Sequence, residues 1–223
     1  MSALPDAVPV SRVHHRIPLH EIVVPQCVVL DTCVLISNVV RFSVLTLARE
    51  GCFSVAWSPI IGDEWRRNAA RLWSVDPLII AAQWESFQTD FPLACQGDVE
   101  AFKSGLKRSD PKDWHVVAAG RAVLSHGHHT HVDILTRNIK DFNRSELRQH
   151  GLGLLDPDTF LVRCLMQFPQ AVCAMLRQLP QSVIAPDRTP DPLPVILKRE
   201  RLFRLQRLLQ LQDSAWSPEL YQT

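Results

Sequence analysis

The sequence predicts an α/β protein with a parallel sheet flanked by helices on both faces. Three observations point there. Short, β-branched apolar runs alternate with longer helical stretches. The run Cys27-Val28-Val29-Leu30 is apolar at every position, as a central parallel strand buried on both faces must be. Four pairs, Ser58-Pro59, Asp76-Pro77, Asp110-Pro111 and Asp156-Pro157, each set an N-cap residue before a proline suited to the first helical position.

Taken in order, residues 1–25 are rich in Pro and His and read as an extended N-terminal arm. Residues 26–180 hold the alternating elements and form the main domain. After the first strand, Leu35 to Glu50 reads as a helix stopped by Gly51. Phe53 to Trp57 is a second strand, and helices follow from Pro59 to about Trp73 and from Pro77 to Thr89. Residues 92–109 read as a loop with one short helix. A strongly helical stretch from Pro111 to Ser125 precedes a strand over Val132–Thr136. Leu152–Leu155 is a weaker strand, and Pro157 to Leu179 a helix with a break expected at Pro169. Residues 181–223 comprise a proline-rich linker and an amphipathic C-terminal helix over Val195–Leu211, read as a docking or dimer helix.

Composition narrows the class. Of 223 residues, 46% are hydrophobic and 21% charged, enough for a core without staples. The net charge of +1 means that contact with nucleic acid must come from local patches. Six cysteines at 27, 33, 52, 95, 164 and 173 form no CxxC pair and read as free thiols of a cytoplasmic protein. No apolar run is long enough to span a bilayer, and residues 1–25 do not read as a signal peptide. The histidines at 126, 128, 129 and 131 read as a solvated loop rather than a zinc site.

Four acids carry the chemical expectation. Asp31 directly follows a buried strand, where an unpartnered carboxylate is costly unless it faces a crevice at the strand's carboxyl end. Asp141 follows the Val132 strand and meets Asp31 if the two strands are neighbours. Glu64 lies one turn into its helix, with Asp63 as competitor, and Asp113 sits just after the Asp110 cap. Asp133 and Asn138 compete with Asp141. Four carboxylates brought together repel one another, and a hard divalent cation, magnesium or manganese, relieves that repulsion. Such an ion activates water for phosphodiester cleavage.

The run Leu30-Asp31-Thr32, Glu64 within a helix, Asp113 with Val116-Val117-Ala118-Ala119, and Thr136-x-Asn138-x-x-Asp141-Phe142 resembles the PIN domain. It is most similar to the bacterial VapC-like branch, over about residues 26–165. The resemblance implies a Rossmann-like sheet and a magnesium- or manganese-dependent endoribonuclease acting on RNA. It also implies a homodimer and, in a toxin–antitoxin pair, a small antitoxin partner. By the same resemblance Asp31, Glu64, Asp113 and Asp141 hold the metal, and Thr32, Asp110, Thr136 and Asn138 support the cleft. Cys33 departs from the Asn or Ser usual there and puts a supporting hydrogen bond in question.

Two other enzyme classes fit poorly. A haloacid-dehalogenase-type phosphatase needs a second acid two residues after the first, where Cys33 stands. A dinucleotide-binding protein needs a glycine-rich turn after its first strand, which is missing. The alternative to a nuclease is a catalytically quiet PIN-fold interaction module.

Overall fold

The computed structural model of the chain describes residues 23–183 and 189–212. Most of the expected N-terminal arm and part of the proline-rich linker lie outside them. Four strands, β1 (Cys27–Leu30), β2 (Ser54–Ala56), β3 (Val132–Leu135) and β4 (Leu152–Leu155), form one parallel sheet in the order β2-β1-β3-β4. Every residue of β1 and β3 is buried, so both faces of the sheet's centre are covered. From β1 the chain moves to one side to make β2 and later to the other side to make β3. The carboxyl ends of β1 and β3 are therefore the switch point where such sheets form their crevice.

Among the described residues ten helices surround the sheet: α1 (Thr32–Ile36), α2 (Asn38–Arg49), α3 (Pro59–Trp73), α4 (Pro77–Asp90), α5 (Trp114–Ser125), α6 (Arg144–Gln149), α7 (Pro157–Gln167), α8 (Pro169–Ser182), α9 (Leu193–Arg199) and α10 (Phe203–Gln212). All four residues before the punctuating prolines act as caps. The side chains of Ser58, Asp76, Asp110 and Asp156 accept from the backbone N–H of Ile61, Leu78, Lys112 and Thr159. Between α3 and α4, Trp65 and Trp84 stack with ring centroids 5.6 Å apart, and Trp65 Nε1 donates to Leu35 O. That bond ties α3 to the end of α1 and fixes the helix that carries Glu64.

Several boundaries differ from the sequence reading. The helix expected over Leu35–Glu50 begins at Thr32 and breaks at Ser37, whose extended backbone and hydroxyl cap α2 at Val40 N–H. Pro111–Asp113 is a 3-10 turn that leads into α5, not its first turn. The second strand is shorter than Phe53–Trp57, and Trp57 instead makes a lone bridge to Cys95. The single C-terminal helix expected over Val195–Leu211 is two helices, broken where Arg201 takes a left-handed φ of 60°. Both pack on the chain itself, with Leu193, Ile196, Leu197, Leu205 and Leu209 buried. Asp158, in the first turn of α7, accepts from Arg204 N–H and Leu205 N–H and so caps α10.

The glycine in β4 has a steric cause. Asp133, mid-strand in β3 and 3% exposed, lays its carboxylate over Gly153, where a Cβ would stand 1.9 Å from Oδ1. Gly153→Ala must therefore displace a buried carboxylate that faces Arg163 and His131. We expect a loss of about 2–4 kcal/mol in urea-unfolding stability. A change below about 0.5 kcal/mol would show that β4 moves aside without strain.

Candidate active site

The segments that carry the four acids converge on the switch point. Asp31 ends β1 and is 4% exposed, the deepest of the four. β3 lies beside β1 with Leu30 opposite Leu135, so the residues after both strands share one crevice. Thr136, fully buried, donates its hydroxyl to Asp31 Oδ2 at 2.6 Å and accepts from Asn138 N–H at 2.9 Å. The Cys33 thiol also donates to Asp31 Oδ2, at 3.1 Å, and accepts from Arg137 N–H at 3.1 Å. Burial, reinforced by the Asp31 charge, pushes that thiol's pKa up to about 12, so it stays a protonated donor. The bond that Cys33 put in question is thus made by sulfur. Asp31 Oδ1 has no hydrogen-bond partner among the described residues.

Glu64 reaches the crevice from α3. Its Oε2 accepts from the Thr32 hydroxyl at 3.0 Å and lies 3.4 Å from His115 Nε2, a contact too poorly aligned to be a hydrogen bond. Burial raises the Glu64 pKa, but His115, Thr32 and Arg67 together outweigh it and hold the carboxyl below its ordinary range. Its neighbour Asp63 points to solvent and pairs with Arg66. His115 stands two residues after Asp113, so this contact links the Glu64 helix to the start of α5.

Asp113 and Asp141 complete the group. Asp110 N–H donates to Asp141 O at 2.8 Å, which joins the two acid-bearing turns through their backbones. The carboxylates of Asp113 and Asp141 have no hydrogen-bond partner among the described residues. Burial, then the charges of Asp31 and Asp141, with Asp110 adding a little, raise the Asp113 pKa to about 6. Asp110 is a cap, its Oδ1 held by Lys112 N–H. Asn138 contributes its backbone N–H, and its side chain is exposed. Asp133 faces His131 and Arg163 from within β3 instead of joining the four.

One residue that organises this site carries no mark in the motif. Glu146 in α6 is 3% exposed and accepts from three consecutive N–H groups: Lys107 at 2.6 Å, Arg108 at 2.9 Å and Ser109 at 2.8 Å. Burial raises its pKa, but these donors and the Ser109 hydroxyl prevail and hold it at about 2. Asn143 N–H donates to Ser109 Oγ, so the segment after Asp141 is sewn to the loop before Asp110. The sequence signal is the Asn143-x-x-Glu146 spacing of a capping box. Asn143 does cap α6, accepting from Glu146 N–H, while the glutamate side chain turns to the loop instead.

The donor set suits a hard cation. It consists of carboxylates, two of them with an unengaged oxygen and two unbonded, and the nearby thiol is not a thiolate. Among the described residues no three His, Cys, Asp or Glu side chains already close around one point. A cavity of about 1040 Å³ lies at the amino ends of β1 and β2, is lined by His126, His128 and His129 among others, and contains none of the four acids. Compared with protein-family models, curated proteins and solved structures, the chain matches none.

Two measurements probe this geometry. Asp113 has a folded pKa near 6 against an ordinary 3.8, so between these values the native state binds a proton that the unfolded chain has released. Its stabilising contribution is complete below pH 3.8 and is lost as pH rises through 6. In chelator, Asp113→Asn should gain on the wild type by on the order of 1 kcal/mol between pH 4 and 7. A pH-independent difference would contradict the crowding. Glu146→Gln breaks up a buried charge held by three N–H donors and should cost about 2–4 kcal/mol at pH 7, read by chemical denaturation.

Proposed function

We propose that this chain is a metal-dependent endoribonuclease with a PIN-like fold, and that Asp31, Glu64, Asp113 and Asp141 form its magnesium or manganese site. The observation that carries the proposal is the chain of contacts joining four acid-bearing segments at the switch point. Thr136 bonds Asp31, Thr32 bonds Glu64, His115 faces Glu64, and Asp110 bonds the Asp141 backbone. These links join the four segments, Asp113 feels the charges of Asp31 and Asp141, and oxygens of all four acids are left without hydrogen bonds among the described residues, which favours a divalent cation over a purely structural role. The sequence resemblance to PIN domains supports the same reading.

Bound there, such an ion would supply charge neutralisation and Lewis acidity to a scissile phosphodiester. The residues supply the positioning. Thr136 and Cys33 hold one oxygen of Asp31 and leave the other toward the crevice. Thr32 does the same for Glu64. Asp113, buried and facing the charges of Asp31 and Asp141, is an acid whose ionised form a bound cation would stabilise. A role as the toxin of an antitoxin-controlled pair, acting as a dimer, rests on the resemblance and belongs to the same proposal.

The decisive comparison is cleavage of a panel of single-stranded RNAs in manganese by wild type and Asp31→Asn. We expect cutting by the wild type and a loss of at least about a hundredfold in the variant. Equal activity in the two preparations, or none in either, would favour the interaction-module reading.

A further inference from the structure

The buried Glu146 carboxylate immobilises the three backbone N–H groups of Lys107, Arg108 and Ser109. Such an investment in a surface loop calls for a reason. The loop is tied at its other end as well, since Trp114 Nε1 donates to Ser109 O at 2.9 Å and Ser109 Oγ accepts from Asn143 N–H. The side chains it presents to solvent are two cations, Lys107 and Arg108. Neither forms an ion pair or side-chain hydrogen bond among the described residues, although Asp110 stands two and three positions away. Some cations of this chain take up available acids, as Arg49 does with Asp90, Lys103 with Glu100 and Arg199 with Asp191. Lys107 and Arg108 share their unpaired state with exposed cations such as Arg177 and Arg207 and differ in standing on the clamped loop.

We propose that Lys107 and Arg108 form a phosphate-binding subsite for a single-stranded polynucleotide beside the acid cluster. This inference rests on the nuclease reading for its substrate class and adds the residues that hold the strand. The physical need is plain. A cleft with four carboxylates repels a polyanion, and the net charge of +1 provides no compensating field. Cations fixed within a few residues of Asp110 and Asp113 provide local attraction and a register for the backbone. Fixing the loop through Glu146 means that its ordering is already complete before the strand binds. Because the contacts are to phosphate, the subsite sets position and affinity without reading bases.

The test is binding rather than turnover. A fluorescein-labelled single-stranded RNA is titrated by anisotropy in EDTA across a salt series, where loss of the subsite and loss of nuclease activity register separately. The double variant Lys107→Gln/Arg108→Gln is compared with Arg177→Gln/Arg207→Gln, which removes the same charge from α8 and α10. We expect the first pair to bind about tenfold more weakly and to lower the slope of log K against log salt by about 1.4. The second pair should match the wild type. Equal losses in both variants, an unchanged slope in the first, or no saturable binding by the wild type would overturn the subsite.

Discussion

Asp31 is a carboxylate placed where water barely reaches, and the rest of the site is arranged around that fact. A strand-end acid 4% exposed cannot be left unpartnered at neutral pH. No described arginine or lysine pairs with it. Its stabilisation comes from neutral donors, the Thr136 hydroxyl and the Cys33 thiol, both directed at one oxygen. Because Thr136 directly follows the neighbouring strand β3, the bond depends on β1 and β3 being adjacent. The sheet order and the state of Asp31 are therefore one constraint seen twice.

The same economy of charge extends outward. Each acid is positioned by hydrogen bonds from uncharged groups or through its backbone, so little positive charge is used inside the crevice. The raised pKa of Asp113 comes first from burial and then from the charges of Asp31 and Asp141, which no nearby cation cancels in full. Positive charge appears instead on the loop clamped by Glu146 and in Arg137, which pairs with Glu200 at 2.5 Å. Glu200 also accepts from Ser37, so the α9–α10 segment holds both the α1–α2 break and the turn after β3. The C-terminal helices are thus part of the frame behind the acids, with Leu193, Ile196, Leu197, Leu205 and Leu209 buried against the chain and Val195, Phe203 and Leu211 left exposed.

Much of this could be read in the sequence because local chemistry dictates it. A continuous apolar run followed by Asp31 marks a buried strand and a crevice. The Ser/Asp-Pro pairs mark helix starts because the proline removes a donor that would be orphaned anyway. What escaped was what tertiary contacts decide. Ser37 is an N-cap residue type inside one apolar pattern, and what fixes the break is its hydroxyl bond to Glu200 from 163 residues away. Arg201 adopts a left-handed conformation without being a glycine, so one amphipathic pattern conceals two helices. α6 has six residues, too few for a periodic signal, and Glu146 within it spends its charge on a distant loop. Leu152–Leu155 read only as a weaker strand, whereas the missing side chain of Gly153 within it is the room that Asp133 occupies.

The proposed nuclease site requires acids remote in the chain to act as one cation site. The most direct measurement is manganese binding, followed by electron paramagnetic resonance on the wild type, Asp31→Asn and the exposed-acid control Asp63→Asn. The account predicts saturable binding by the wild type and Asp63→Asn and its loss in Asp31→Asn. Binding that survives intact in Asp31→Asn, or is missing from the wild type, would contradict it.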